Sequence, residues 1–398
     1  KCTDALNEIG IPAVTSHSGA TNPHRTDWTL LAGKTVYLWP DNDAVGLDYA
    51  SKVISILSGL DPKPKIYQLD PAKLGLEPKE DCFDILAEIE GQKEKAEAAE
   101  HILTLAEPIE TGPAAELSKL HKAIIEGEYS AIDFPWQNLS SLTQALLPGA
   151  VLLICGDPGS TKSFFLLEAF AYWYEQGINL ALYELEEDRA YHLNRALAQR
   201  IKNSQLLKPD WVRQNPSQVR EAFNKNRDFL EGFGCSISDA PDKQLTIDGL
   251  ASWAEDRAKD GCRIIAADPV TMLQQERDTW LQDAALMERM KTIARQYACS
   301  IILVTHPKKG RKKAVGLDEL AGGTAYTRFS QSVLWIQHHS KPEKSMVWTP
   351  CGRETITHNK TISILKSRNA PGAGKKLAFD FCGDSFCLNE KGIILKET

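Results

Sequence analysis

Short apolar runs of strand length alternate along this chain with stretches whose apolar residues recur at helical spacing. The clearest runs are residues 151–155 (VLLIC), 179–183 (NLALY), 262–268 (CRIIAAD), 300–305 (SIILVT) and 332–336. Unbroken apolar runs of this length predict strands buried on both faces, as in a parallel sheet covered by helices. Helix-compatible sequence follows Ser163 and Asp188 and fills residues 284–297. Nearer the N-terminus the pattern predicts a helix over 2–9 ending at Gly10, a strand over 11–16, and a polar loop through Asp27. A strand over 34–39 (KTVYLW) follows, then a helix to about Leu57 and an Ala/Glu/Lys-rich surface helix within 88–107. Pro108 and Pro113 bracket a boundary. Residues 114–126 then place Leu117, Leu120, Ile124 and Ile125 on one helical face, which packs either on its own domain or on a neighbouring molecule.

Composition narrows the classes. With 398 residues, 42% hydrophobic and 25% charged, the chain has room for two or three soluble domains. A net charge of −7 excludes a general basic coat, so any nucleic-acid contact needs a local patch. Nine cysteines include no Cys-x-x-Cys pair, and Cys382 and Cys387 lack histidines at zinc spacing, so a reduced cytoplasmic setting without structural zinc is expected. No run reaches membrane-spanning length and nothing resembles a signal peptide. The opening KCTDALNEIG is already in helical pattern, which reads as a start inside a domain.

The run at 151–155 leads into Gly156, Asp157, Pro158, Gly159, Ser160, Thr161, Lys162 and Ser163, a strand, a glycine-containing loop and a Lys-Ser helix start. That layout suits a polyphosphate: backbone N–H groups and a helix N-terminus cradle it, Lys162 neutralises its outer charge and Ser163 ligates magnesium. The bland alternative is an ordinary glycine turn. Thr161 stands where such loops carry glycine, and a β-branched residue resists positive φ, so a differently built or weaker-binding loop is expected.

Acids and bases recur at other strand ends. Asp41 and Asp43 follow the 34–39 strand, where they share a divalent cation or Asp43 simply caps the next helix. Glu184, Glu186, Glu187 and Asp188 crowd the end of 179–183, and any of the glutamates could orient a water for phosphoryl transfer. Asp268 ends its strand as a magnesium-holding acid would. His306 ends the next strand, as a phosphate sensor or as a structural histidine. Lys308, Lys309, Arg311, Lys312 and Lys313 then form a basic loop that either solvates or holds a nucleic-acid backbone. Lys366 and Arg368, alternate residues at another strand end, present two cations on one side, for a phosphate or for surface pairs.

These motifs, in this order, resemble known families. WPDNDAVGLDYASKV looks like the DxD-containing half of a TOPRIM domain, and KEDCFDIL, with Asp81 and Asp84, resembles that domain's closing part in phage-type primases. The stretch from Asp133 and residues 148–398 resemble the RecA-type ATPase core of DnaB-type helicases, including Gly322, Gly323 and Thr324 before a strand and the hairpin ISILKSRNAPGAGKKLAFDF. VTHPKK, with His306 where glutamine is usual, is similar to plasmid RepA-type ATPases.

The resemblance implies an α/β fold: a RecA-like P-loop NTPase core with a mostly parallel central sheet (148–398), a linker helix and lead-in (109–147), and a partial TOPRIM-like domain (1–108). It implies ATP or another NTP with Mg2+, Glu186 as the base, Asp268 with Ser163 on the metal, and Lys366 and Arg368 reaching a neighbour's nucleotide. It further implies a hexameric homo-oligomeric ring on single-stranded DNA, with replication proteins as possible partners and no membrane. Asp41 and Asp43 would bind magnesium weakly, without primer synthesis by these residues. The competing expectations are a DNA-bound loader or regulator that leaves duplexes closed, and a scaffold that binds no nucleotide.

Overall fold

The computed structural model describes the chain apart from residues 18–21, 76, 78–79, 240–243, 275–278, 309–314, 322 and 396–398. It divides into two compact units, Lys1–Glu128 and Tyr129–Thr398.

The first unit runs α1 (Cys2–Glu8), β1 (Thr35–Leu38), α2 (Ala44–Ser58), β2 (Lys65–Gln68), α3 (Cys82–Ala87), α4 (Gln92–Leu103), β3 (Glu107–Ile109) and α5 (Pro113–Ile125). β1 and β2 are parallel and β3 adds antiparallel to β2. α2 buries Val53 and Leu57 against Ile66 and Trp28. The strand expected over 11–16 does not form. Asn7 donates to the Ala13 carbonyl and accepts from the Ala13 N–H, both at 3.0 Å, supplying the partners a neighbouring strand would have given, while Pro12 has no N–H to offer. α4 is shorter than the expected helix because Gly91, at φ 89°, sets its start. Pro108 falls in edge strand β3, where a missing donor is tolerated.

The second unit runs α6 (Gln137–Thr143), β4 (Val151–Gly156), α7 (Lys162–Glu175), β5 (Leu180–Glu184), α8 (Arg189–Arg200), α9 (Pro209–Gln214), α10 (Pro216–Lys225), α11 (Arg227–Cys235) and β6 (Ile237–Ser238). It continues with α12 (Ile247–Lys259), β7 (Ile264–Asp268), α13 (Thr279–Gln296), β8 (Ser300–Thr305), α14 (Gly323–Phe329), β9 (Ser332–Thr349), β10 (Gly352–Ser367), β11 (Lys376–Phe381) and β12 (Leu388–Ile394). Among the described residues these strands form one nine-stranded sheet in the order β10-β11-β12-β9-β4-β8-β7-β5-β6. From β9 to β6 every neighbouring pair is parallel, whereas β10, β11 and β12 are antiparallel additions.

Alternation explains why the parallel strands are apolar throughout. Leu152 and Ile154 of β4 enter one core with Phe165, Phe170 and Trp173 of α7, while Val151, Leu153 and Cys155 enter the other with Met287 and Met290 of α13. Truncating one such leucine to alanine costs about 2–5 kcal/mol. The lead-in is fastened to the far strands: Trp136 Nε1 donates to the Leu388 carbonyl at 3.0 Å, and Glu390 accepts from the N–H groups of Asn138 and Leu139, which open α6.

β9 extends thirteen residues past its apolar start at 332–336. The polar run HHSKPEKS hides this continuation in the sequence, and pairing along most of β10 sustains it.

Candidate functional site

β4 sits inside the parallel sheet, between β8 and β9, so the loop leaving its carboxyl end emerges in the crevice where α/β sheets bind ligands. A Cβ on Gly156 would lie 2.5 Å from both the Ile336 carbonyl oxygen and Ser160 Oγ, so this position accepts only glycine. Thr161 adopts φ 75°, the conformation glycine would hold, and its hydroxyl turns onto the Ser160 carbonyl. The expectation of a differently built loop is therefore corrected: the backbone keeps the glycine conformation, at a cost of about 1–2 kcal/mol for a non-glycine residue. α7 begins at Lys162 without a side-chain cap, so its first N–H groups are left for a ligand.

Lys162 Nζ is folded onto the Gly156 and Asp157 carbonyls, at 2.9 and 3.1 Å. Burial lowers its pKa, and Asp268 is the foremost charge opposing that. Asp268 is itself buried, and burial pushes its pKa up to about 6 against a hydrogen bond from Ser163 and the charge of Lys162. One of its carboxylate oxygens, Oδ2, has no hydrogen-bond partner. An orphaned buried carboxylate oxygen beside a serine hydroxyl and an ammonium fits a hydrated magnesium ion on a phosphate.

Lys162, Ser163, Glu186, Arg195, Asp268 and His306 line one cleft of about 420 Å³. The sequence-predicted Lys162, Glu186 and His306 are thus brought together. Glu186 is exposed at the cleft, whereas Glu184 is buried against Asp268, and that burial raises its pKa well above the usual carboxylate range. His192 Nε2 lies 3.2 Å from Glu184 Oε2, but burial takes His192 down to about 4, so at neutral pH the imidazole is uncharged and this is not an ion pair. Asp188 is spent on capping α8 through the Tyr191 N–H. These positions leave Glu186 and Glu187 as the exposed acids of the cleft. The Nδ1 of His306 is buried without a hydrogen-bond partner, and burial and Lys162 hold the ring below the ordinary histidine value.

Two contributors are absent from the sequence-based set. Lys360, fully buried on β10, donates to the Ser160 carbonyl at 3.3 Å and so supports the phosphate loop from beneath. Its signal is a lysine sharing a strand face with Ile362 and Ile364. Arg195 stacks on Phe164 and Tyr191, 4.6 and 4.1 Å from the ring centroids, at the mouth of the cleft. Its helical position gave no motif to notice.

Neither Lys366 nor Arg368 lines this cleft. The alternation argument that put both on one side meets a register shift between Ile364 and Lys366. Lys366 Nζ instead donates to the Thr327 carbonyl and, at 2.6 Å, to that of Ser330, fixing β10 to the end of α14. Arg368 lines a separate cavity of about 690 Å³ with Lys291, Arg295, Arg328 and Glu288. That cavity is strongly cationic: burial, Arg295 and Arg368 together lower Lys291 to about 8. Of the basic loop, Lys308 is tied by its backbone to Glu319, while Lys309, Arg311, Lys312 and Lys313 lie outside the described residues.

In the first unit, Asp43 caps α2 by accepting from the Gly46 N–H at 2.7 Å. Asp41 is drawn toward Asp81 instead. One ligand-capable atom each of Cys2, Asp41 and Asp81 lie within 4.8 Å, and burial, Asp81 and Asp43 raise the Asp41 pKa. Asp43 thus takes the capping role that was the alternative to a shared cation, while Asp41 has Cys2 and Asp81 as its neighbours. Lys1 Nζ sits 3.3 Å from Asp81 and 3.5 Å from Asp84.

No protein-family model and no curated protein matches the sequence. Solved structures do match the fold. The ATPase domain of G40P aligns over 70% of this chain and 99% of its own, at 16% identity and a TM-score of 0.55. A DnaB-like replicative helicase, solved for its interactions with primase, aligns over 89% of this chain and 80% of its own, at 14% identity and a TM-score of 0.52. The chain therefore has the mixed α/β, mostly parallel-sheet fold of the DnaB-like, RecA-type ATPase domains.

Proposed function

We propose that this protein is an ATP-hydrolysing DNA helicase of the replicative DnaB-like type, acting as a homo-oligomeric ring on single-stranded DNA. The observation that carries the reading is the buried, partly unpartnered Asp268 carboxylate beside Ser163 and Lys162, at the carboxyl end of parallel strands. The fold shared with a helicase and with the ATPase domain of G40P supports the class of motor.

Each residue has a defined task in this reading. Ser163 and Asp268 would hold Mg2+, which when bound supplies charge neutralisation between the outer phosphates. Lys162 leaves its two loop carbonyls and binds phosphate oxygens, exchanging neutral acceptors for anionic ones. Glu186 orients the attacking water, and His306 links the phosphate end of the cleft to the loop that follows β8. Arg368, outside its own subunit's cleft, completes the neighbour's site, where an arginine stabilises transition-state charge. Lys366 anchors β10 and positions Arg368. Leu117, Leu120 and Ile124, exposed on α5, dock on the next subunit, and the basic loop 308–313 follows the DNA backbone. In the first unit, Asp41 and Asp81 form a weak magnesium site.

Lys162→Ala should abolish ATP-dependent opening of a forked duplex and reduce nucleotide affinity at least about tenfold, as expected for loss of a charge-assisted contact. Equal binding by wild type and variant would mean an empty phosphate loop. Robust hydrolysis with a closed fork would favour the loader or regulator class, which the RepA-like VTHPKK segment suggests.

A further inference from the structure

The β9–β10 hairpin brings together side chains that the nucleotide cleft does not use. Between the pairs His338↔Lys360 and Glu343↔His358, residues 339–342 of β9 stand opposite Asn359 alone. Such a bulge re-aims side chains. Here it brings the His339 ring edge-on to His358, with centroids 5.4 Å apart and planes at 81°. His339 Nδ1 lies 3.0 Å from Glu343 Oε1, and one ligand-capable atom each of His339, Glu343 and His358 lie within 4.8 Å of one another.

The rings are held from behind. Thr361 Oγ1 meets Nε2 of His339 at 2.8 Å and Nε2 of His358 at 3.1 Å, so Nδ1 is the nitrogen left on each ring. His358 is fully buried, and its Nδ1 has no hydrogen-bond partner, an arrangement that a bound ligand would satisfy.

We propose that His339 Nδ1, His358 Nδ1 and the Glu343 carboxylate bind one zinc ion, with water in the remaining position, stapling the bulged hairpin. Two imidazoles and one carboxylate are a borderline donor set that suits zinc, whereas magnesium and calcium require oxygen ligands. The two lone pairs of the Thr361 hydroxyl accept Nε2–H from both rings, which fixes the tautomer that exposes both Nδ1 atoms. Other nearby charges oppose one another: Asp380 acts on His358, while Lys360 and His338 act on His339. The cysteine spacing gave no hint of this site, because its ligands are two histidines and a glutamate on two strands that meet through a long hairpin.

The test is zinc titration of the metal-stripped 398-residue protein against a chromophoric chelator. One tight equivalent is expected in wild type. Glu343→Gln changes an exposed side chain and leaves the fold intact by circular dichroism, yet should lose that equivalent. Thr361→Val should weaken it about 10- to 100-fold through the lost support of both rings. Asp41→Asn and Asp268→Asn, which remove oxygens from the other two acidic sites, should keep it. Cobalt in the wild-type protein should give a tetrahedral ligand-field spectrum that Glu343→Gln lacks. Absence of a tight equivalent in wild type, equal affinity in Glu343→Gln, or loss in Asp41→Asn in its place would each overturn the proposal.

Discussion

Lys162 is a buried cation whose partners are two neutral carbonyls, and Asp268 is a buried acid with one oxygen unmatched. Each is an incomplete arrangement that a magnesium-bound polyphosphate would complete, and both were legible as residue types at strand and helix ends. Their supports were not, because Lys360 reaches the Ser160 carbonyl and Arg195 the cleft through tertiary placement and not through local spacing. The same α7 carries a residue with a measurable pH signature. Burial raises Glu168 to about 7, although it accepts from the Leu388 N–H at 2.8 Å. Its folded-state value lies above the ordinary 4.5, so the folded protein holds a proton there that the unfolded chain releases earlier. Its stabilising contribution is complete below pH 4.5 and is lost as pH rises toward 7. Glutamine keeps the acceptor without the charge. Urea unfolding should therefore show Glu168→Gln gaining about 1–3 kcal/mol over wild type at pH 8 relative to pH 4. An unchanged difference between the two pH values would contradict this assignment.

At the scale of elements, periodicity located the parallel strands well, because a strand buried on both faces leaves an apolar run that needs no alternation to be noticed. It failed where side chains substitute for backbone pairing, as Asn7 does for residues 11–16, and where a polar strand is sustained by its hairpin partner, as β9 is beyond Ile336. α5 shows a third outcome. Its apolar face stays about half exposed within the chain: Leu117, Leu120 and Ile124 are 52%, 39% and 48% exposed. Burying the remaining exposed half on a second copy would give each leucine or isoleucine about 0.7–1.5 kcal/mol. Leu117→Lys with Ile124→Lys should thus shift the protein from ring to monomer in sedimentation velocity while leaving its circular dichroism unchanged. A ring that persists in the double variant would remove α5 from the interface.

At the scale of the whole molecule, the cleft gathers cations and acids, and Arg368 stands in a cavity of its own. Arg295, Arg328 and Lys291 around it make that second surface cationic, which suits an approach to the phosphates of another copy. A strand-end arginine without a phosphate partner in its own chain is expected to be exposed, and Arg368 is. The role of Lys366 was not legible, because it depends on a bulge that turns its side chain onto the end of α14.

The most direct test of the central claim is ATP turnover by a one-to-one mixture of Lys162→Ala and Arg368→Ala chains, each inactive alone. Random assembly places an intact phosphate loop beside an intact arginine at about one interface in four, so the mixture should recover roughly a quarter of the wild-type rate. A mixture as inactive as its components, although the two chains demonstrably co-assemble, would contradict catalysis shared between subunits.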